Sequence, residues 1–183
     1  MRKAVVVLVL VAIVSAALAL VVTGRPELNK TRDATETAWT PLVEPLNARY
    51  SALAVLATQT EAALQAAGED SIGQARLKLA LDRWRSAAKA DDAEKMVAAA
   101  NDLEARVGQL RAVLNASIRL SQTPEVSDAR TAFDQTAAPS QLVAAYNEAV
   151  RKYQRTREST PRRLVAQVFE YGPIPTFEPS LAT

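Results

Sequence analysis

The sequence predicts an all-α fold, an antiparallel four-helix-type bundle on a single N-terminal transmembrane helix. Three observations predict it. Apolar residues recur at helical rather than alternating spacing along most of the chain. Glycine is scarce, five in 183 residues, and β-branched runs are few outside the N-terminal apolar stretch, which disfavours sheet. Thr-Pro and Gly-Pro pairs fall where the periodic segments begin and end, as helix starts and stops do.

The first element is a membrane span. Residues 1–3 form a basic cap, and residues 4–22 (AVVVLVLVAIVSAALALVV) carry no charge and only Ser15 as a polar side chain. As a helix this stretch covers about 28 Å, close to the thickness of a bilayer's hydrocarbon core. A secretory signal peptide is the competing reading, because Ala17-Leu18-Ala19 resembles a cleavage site. Such a peptide has an apolar region of only about 7–15 residues, so an uncleaved signal-anchor is favoured. Arg2 and Lys3 favour a cytoplasmic N-terminus and an extracytoplasmic bundle in the cell envelope, although Arg25 and Lys30 beyond the span oppose that orientation. Residues 23–30 read as a linker, 31–178 as the bundle domain and 179–183 as a loose tail.

Within the bundle, Trp39, Leu42, Leu46, Tyr50, Leu53, Leu56 and Leu64 mark a helix over 28–67. Pro45 removes a hydrogen bond to the carbonyl of Pro41, which predicts a kink or a helix restart there. Leu77, Leu81, Trp84 and Ala88 mark a second helix over 70–89. Asp91 and Glu94 have the spacing of a capping box that opens a third. Its stripe, Met96, Ala100, Leu103, Val107, Leu110, Leu114 and Ser117, is a heptad seam, and Thr123-Pro124 stops it and opens a short helix to about Thr136. Pro139 opens the next, with Leu142, Tyr146, Ala149 and Tyr153 on one face. Thr160-Pro161 opens the last, which Tyr171-Gly172-Pro173 ends, with glycine as the cap. Trp39 and Trp84, both on stripes, read as core anchors.

Composition narrows the function. The net charge of +2 equals that of Arg2 and Lys3, so the rest of the chain is formally neutral, which argues against nucleic acid as a partner. Absence of cysteine removes disulfides, thiol catalysis and thiolate metal sites, and absence of histidine removes the commonest general base and metal ligand. Asp91 and Asp92 sit at a helix start, where acids favour the dipole. Arg32 and Glu36 are spaced for a surface ion pair rather than, with Asp33, for a metal site. The sequence therefore predicts no catalytic residue, no metal, no cofactor and no enzyme. Asn115-Ala116-Ser117 matches a glycosylation sequon but falls on the predicted helical seam, a chance match. The basic cluster Arg151, Lys152, Arg155, Arg157, Arg162 and Arg163 fits an anionic partner or, as favoured here, a solvated helix end with Glu148 and Lys152 paired.

Two stretches carry a family likeness. From Tyr146 to Glu178 the chain reads YNEAVRKYQRTRESTPRRLVAQVFEYGPIPTFE, with Tyr146, Asn147, Val150, Tyr153, Pro161, Leu164, Phe169, Tyr171, Pro175, Phe177 and Glu178 in pattern. Upstream, RDATETAW and LNARY supply Arg32, Ala38, Trp39, Leu46, Arg49 and Tyr50. Together these resemble the LemA family of membrane-anchored helical proteins. The departures are Asp33 where the family commonly has Asn, Ala54 and Val55 where it has Pro-Asn, and the added Pro41 and Pro45. The resemblance implies a helical bundle on one span, with no agreed active site.

The function expected is a single-pass membrane scaffold with a protein partner or self-association; the alternative is a tethered sensor that binds a small ligand between helices. The tail VFEYGPIPTFEPS is expected to extend after Gly172, with Tyr171, Ile174 and Phe177 folding back as a lid and Phe177 buried.

Overall fold

A computed structural model describes residues 2–69 and 72–180, with side chains at 24–69, 73–159 and 162–180. Among the described residues the structure is all helix and irregular segments, with no strand. The helices are α1 (Arg2–Ala66), α2 (Ile72–Lys89), α3 (Ala93–Ala116), α4 (Ile118–Gln122), α5 (Pro124–Asp134), α6 (Ser140–Glu158) and α7 (Thr160–Val168). The apolar span at 4–22 lies outside the residues whose side chains are described; among the described residues no helix is long and apolar enough to cross a membrane.

The chain divides into two compact units, Met1–Thr37 with Glu148–Ile174 and Ala38–Asn147 with Pro175–Thr183. In the first, Leu28, Thr31 and Thr35 of α1, Val150 and Tyr153 of α6, Val165 and Ala166 of α7, and Ile174 are buried. Gly24 lies so close to α7 that a β-carbon there would stand 3.1 Å from Val165. In the second, α2 and α3 pack as a helical hairpin across the turn at 90–92. Its core holds Trp39, Leu42, Leu46, Tyr50 and Leu53 of α1 with Leu77, Leu81 and Trp84 of α2. From α3 come Met96, Ala100, Leu103, Val107, Leu110 and Leu114, so the predicted seam is buried as far as Leu114. Tyr50 and Trp84 meet edge to face at 4.8 Å, and the Trp84 indole N–H donates to Asn47 at 3.0 Å.

Several boundaries differ from the sequence reading, each for a physical reason. Helix α1 neither breaks nor restarts at Pro41 and Pro45, and it is helical through 23–30, the stretch read as a linker. Interior proline costs about 3 kcal/mol in an isolated helix, but burial of Trp39, Leu42, Leu46 and Tyr50 around these prolines outweighs that preference. The cap of α3 is Asp92 rather than Asp91: Asp92 accepts from the Lys95 amide at 3.0 Å, while Asp91 takes a left-handed φ of 52° to make the turn. Helix α3 ends at Ala116, before Thr123-Pro124, because Ser117 turns extended and caps α4 through the Leu120 amide. Asn115 is consequently exposed at a helix end rather than mid-helix. Helix α7 stops at Val168, short of Gly172; Glu170, at φ 57°, makes the left-handed turn that Gly172 was expected to supply. The Tyr171 amide then closes on the Ala166 carbonyl at 2.9 Å.

Candidate functional site

The irregular tail after α7 has no strand beside it, so its backbone groups need side-chain partners. Helix α6 supplies most of them. In the first unit, Arg157 Nε donates to the Tyr171 carbonyl, Tyr153 Oη to Gly172 and Gln154 Nε2 to Ile174, at 3.2, 2.8 and 3.0 Å. The Tyr171 hydroxyl also bonds Asn29 of α1.

In the second unit the grip is tighter. Tyr146 Oη donates to the Pro175 carbonyl at 2.9 Å. The Asn147 amide works like a strand neighbour, donating to the Phe177 carbonyl at 2.9 Å and accepting its amide at 2.8 Å. Asn101 of α3 does the same one residue out on either side, donating to the Thr176 carbonyl and accepting the Glu178 amide. Two side-chain amides thus hold four backbone groups over 176–178. This fixes Phe177 above the core, where it is fully buried and meets Trp39 edge to face at 5.7 Å. Trp39 also meets Tyr146 at 5.0 Å, and burial pushes the Tyr146 phenol well above its ordinary pKa. Phe177 is buried as the sequence predicts, while Tyr171 and Ile174, expected to fold back with it, belong to the first unit.

Below the tail lies a buried ion pair. Arg49 of α1 faces Glu104 of α3 with two parallel hydrogen bonds, Nε to Oε1 at 2.8 Å and Nη2 to Oε2 at 3.0 Å. Ser180 completes the carboxylate shell, its amide and hydroxyl both donating to Oε2, at 2.9 and 2.7 Å. Phe133 of α5 lies under the Arg49 guanidinium at 4.3 Å. Burial alone would raise the Glu104 carboxyl, but the hydrogen bonds and charge of Arg49, with those of Ser180, outweigh it and hold the pKa below the ordinary carboxylate range. Burial and the Glu104 charge push the Tyr50 phenol up. Pro179 and Ser180 are therefore part of the fold, a correction to the loose tail read over 179–183, of which 181–183 lie outside the described residues.

Beside this pair is a cavity of about 300 Å³ bordered by Arg49, Arg111, Asp134, Ser140, Val143 and Ser180. A larger groove of about 710 Å³ runs along α2 and α3, lined by Ala87, Ala90, Ala98 and Ala99, by half-exposed Leu79 and by Asp82, Arg83, Lys95 and Asp102. Among the described residues no cluster of acids could hold a metal ion.

The LemA family model matches residues 53–183. The chain belongs to the LemA family. No curated protein and no solved structure matches it. In this LemA protein the residues that carried the likeness converge only partly. Trp39, Tyr146, Asn147, Pro175 and Phe177 form the clasp around the tail, and Arg49 and Tyr50 lie on the ion pair beneath it. Val150, Tyr153 and Tyr171 belong to the other unit, where they pack and hold the first part of the tail. Arg32 lies on the surface 3.8 Å from Glu36, and Phe169 is partly exposed under Arg25.

The basic cluster does not form one patch. Arg151 and Arg155 both pair with Glu148, the acid expected to hold Lys152, while Arg157 holds the tail and Arg162 pairs with Glu27; Lys152 and Arg163 are exposed.

Sequence reasoning missed Glu104, Asn101, Phe133 and Ser180. Glu104 had a signal: it directly follows Leu103 on the seam, where a charge is costly without a partner. Asn101 and Ser180 had none, because their role depends on where a distant segment lies.

Proposed function

We propose that this LemA protein is a single-pass membrane-anchored, antiparallel four-helix-type bundle that acts as a non-catalytic docking module for a helical segment of a partner protein. The observation that carries it is the groove on α2 and α3. Four alanines and Leu79 line it beside side chains of both signs of charge, a lining that suits an apolar helix face laid between two helices. The tail clasp is compatible with this reading, since the α3 residues that hold the tail, Asn101 and Glu104, do not line the groove. The anchor rests on residues 4–22 and on the family likeness, with the N-terminus cytoplasmic and the bundle outside.

The test is photocrosslinking from position 79 in intact membranes, compared with a chain carrying Ala98→Arg. A defined adduct that disappears when the arginine fills the groove, with the melting temperature unchanged, supports the reading. An adduct indifferent to the substitution, or none, refutes it.

A second reading, a tethered sensor, is motivated by the cavity beside Arg49 and Arg111; Glu104 holds Arg49 and Asp134 holds Arg111, so a small carboxylate would bind there by competing with Asp134 for the Arg111 guanidinium. Thermal-shift screening with small organic acids tests it. A shift abolished by Arg111→Gln supports a ligand site there, and a flat response across the set argues for docking alone.

A further inference from the structure

Helix α7 presents apolar side chains that the first unit does not bury. Leu164 and Val168, one turn apart, are 58% and 73% exposed, and Phe169 at the end of the helix is 37% exposed. Val165 and Ala166, on the other side of the same helix, are packed inside. A short helix with one buried side and two large aliphatic groups facing out has an unmet apolar face.

Its position says what covers that face. A β-carbon at Gly24 would stand 3.1 Å from Val165 and 3.7 Å from Arg162, so α7 lies directly on α1 there. The Arg162 guanidinium pairs with Glu27, and Arg25 lies 4.9 Å from the Phe169 ring centre, so the docking continues along the next turn of α1. Gly24 follows Val22, the end of the uncharged stretch, by two residues, which is about 3 Å along a helix axis. An anchor that spans the bilayer over 4–22 therefore holds α7 at headgroup depth. Exposed Arg25 and Arg163 lie on this part of the unit, as cations do on helices that lie in an anionic interface; Glu27 neutralises Arg162, and Glu158 and Glu170 line the same hollow as Arg157 and Arg163.

We propose that α7 is an interfacial helix: Leu164 and Val168 insert into the headgroup–acyl boundary of the same membrane that holds the span, with Arg25 and Arg163 at lipid phosphates. This rests on the anchor reading above.

The test uses the full chain in vesicles of phosphatidylcholine and phosphatidylglycerol at about three to one, the anionic lipid supplying the charge such helices require. The chain has no cysteine, so single cysteines at Leu164, Val168 and, as a control, exposed Ile118 each take one nitroxide label. Carbonate washing precedes collision measurements with oxygen and with a water-soluble nickel complex. Labels at 164 and 168 are expected to favour oxygen, at a depth of about 5–10 Å below the headgroups, and the label at 118 to favour nickel. A chain that survives carbonate but shows 164 and 168 as water-exposed as 118 overturns the interfacial helix and leaves the anchor standing. A chain stripped by carbonate overturns both.

Discussion

Replacing Phe177 by alanine isolates what the tail contributes. The ring is fully buried, so its transfer to water alone costs about 2–3 kcal/mol. Failure of the surroundings to refill the space raises a buried Phe→Ala change to about 3–5 kcal/mol. A chain terminus would ordinarily relax into the hole and fall at the low end. Here it is prevented, because Asn147 holds the Phe177 amide and carbonyl while Asn101 holds the groups on either side. Loss of the edge-to-face contact with Trp39 adds about 1 kcal/mol. The expected loss is therefore in the upper half of the range, about 4 kcal/mol. Urea unfolding of the chain in detergent, followed by Trp39 emission in a Trp84→Phe background, measures it. A loss under about 1 kcal/mol with unchanged denaturant slope would mean that the tail is an ornament and the clasp argument is wrong.

Other outcomes follow from the same contacts. Glu104→Gln leaves Arg49 buried without its counter-charge and is expected to cost about 3–5 kcal/mol by denaturant unfolding; replacing Arg49 by Met at the same time restores much of it, and additive losses would contradict the pair. Because the folded Glu104 carboxyl lies below its unfolded value, the folded state binds fewer protons there, so its contribution is present above the ordinary carboxylate range and is lost as pH falls through the folded pKa. An acid unfolding curve that is unchanged in Glu104→Gln would refute that sign. Asp92→Ala is expected to cost about 1 kcal/mol as a lost helix cap and Asp91→Ala not to lose a cap bond; equal melting points for Asp92→Ala and the parent would reject the cap. Glu170→Gly removes a side chain from a left-handed backbone and is expected to stabilise by about 0.5–1 kcal/mol, whereas a lowered melting temperature would show that the Glu170 side chain holds the turn.

Much of this was legible in the chain because burial imposes periodicity. The α3 seam from Met96 to Leu114 and both tryptophans follow from apolar spacing alone, and buried Phe177 from the proline-stiffened tail expected to fold back. The helix ends were read less well. Asp91 and Asp92 are both plausible caps, and the Asp92 bond to the Lys95 amide with the left-handed φ at Asp91 decides between them. Gly172 was the obvious stop for α7, yet Glu170 takes that conformation because the Tyr171 amide reaches back to Ala166. Continuity of α1 through Pro41 and Pro45 is a tertiary effect that no local rule gives. The family-like residues pointed to the clasp through Trp39, Tyr146, Asn147 and Phe177. Their partners Asn101, Glu104 and Ser180 were invisible, since a lone polar residue on a helix announces a distant backbone only once the chain has folded.

The central claim is a helical bundle tethered by the uncharged stretch at 4–22. Carbonate extraction of membranes tests it most directly, comparing the full chain with one that begins at Gly24. The account predicts that the full chain stays in the pellet while the shortened chain appears in the supernatant with its helices from Gly24 onward still formed. Release of the full chain by carbonate would contradict it.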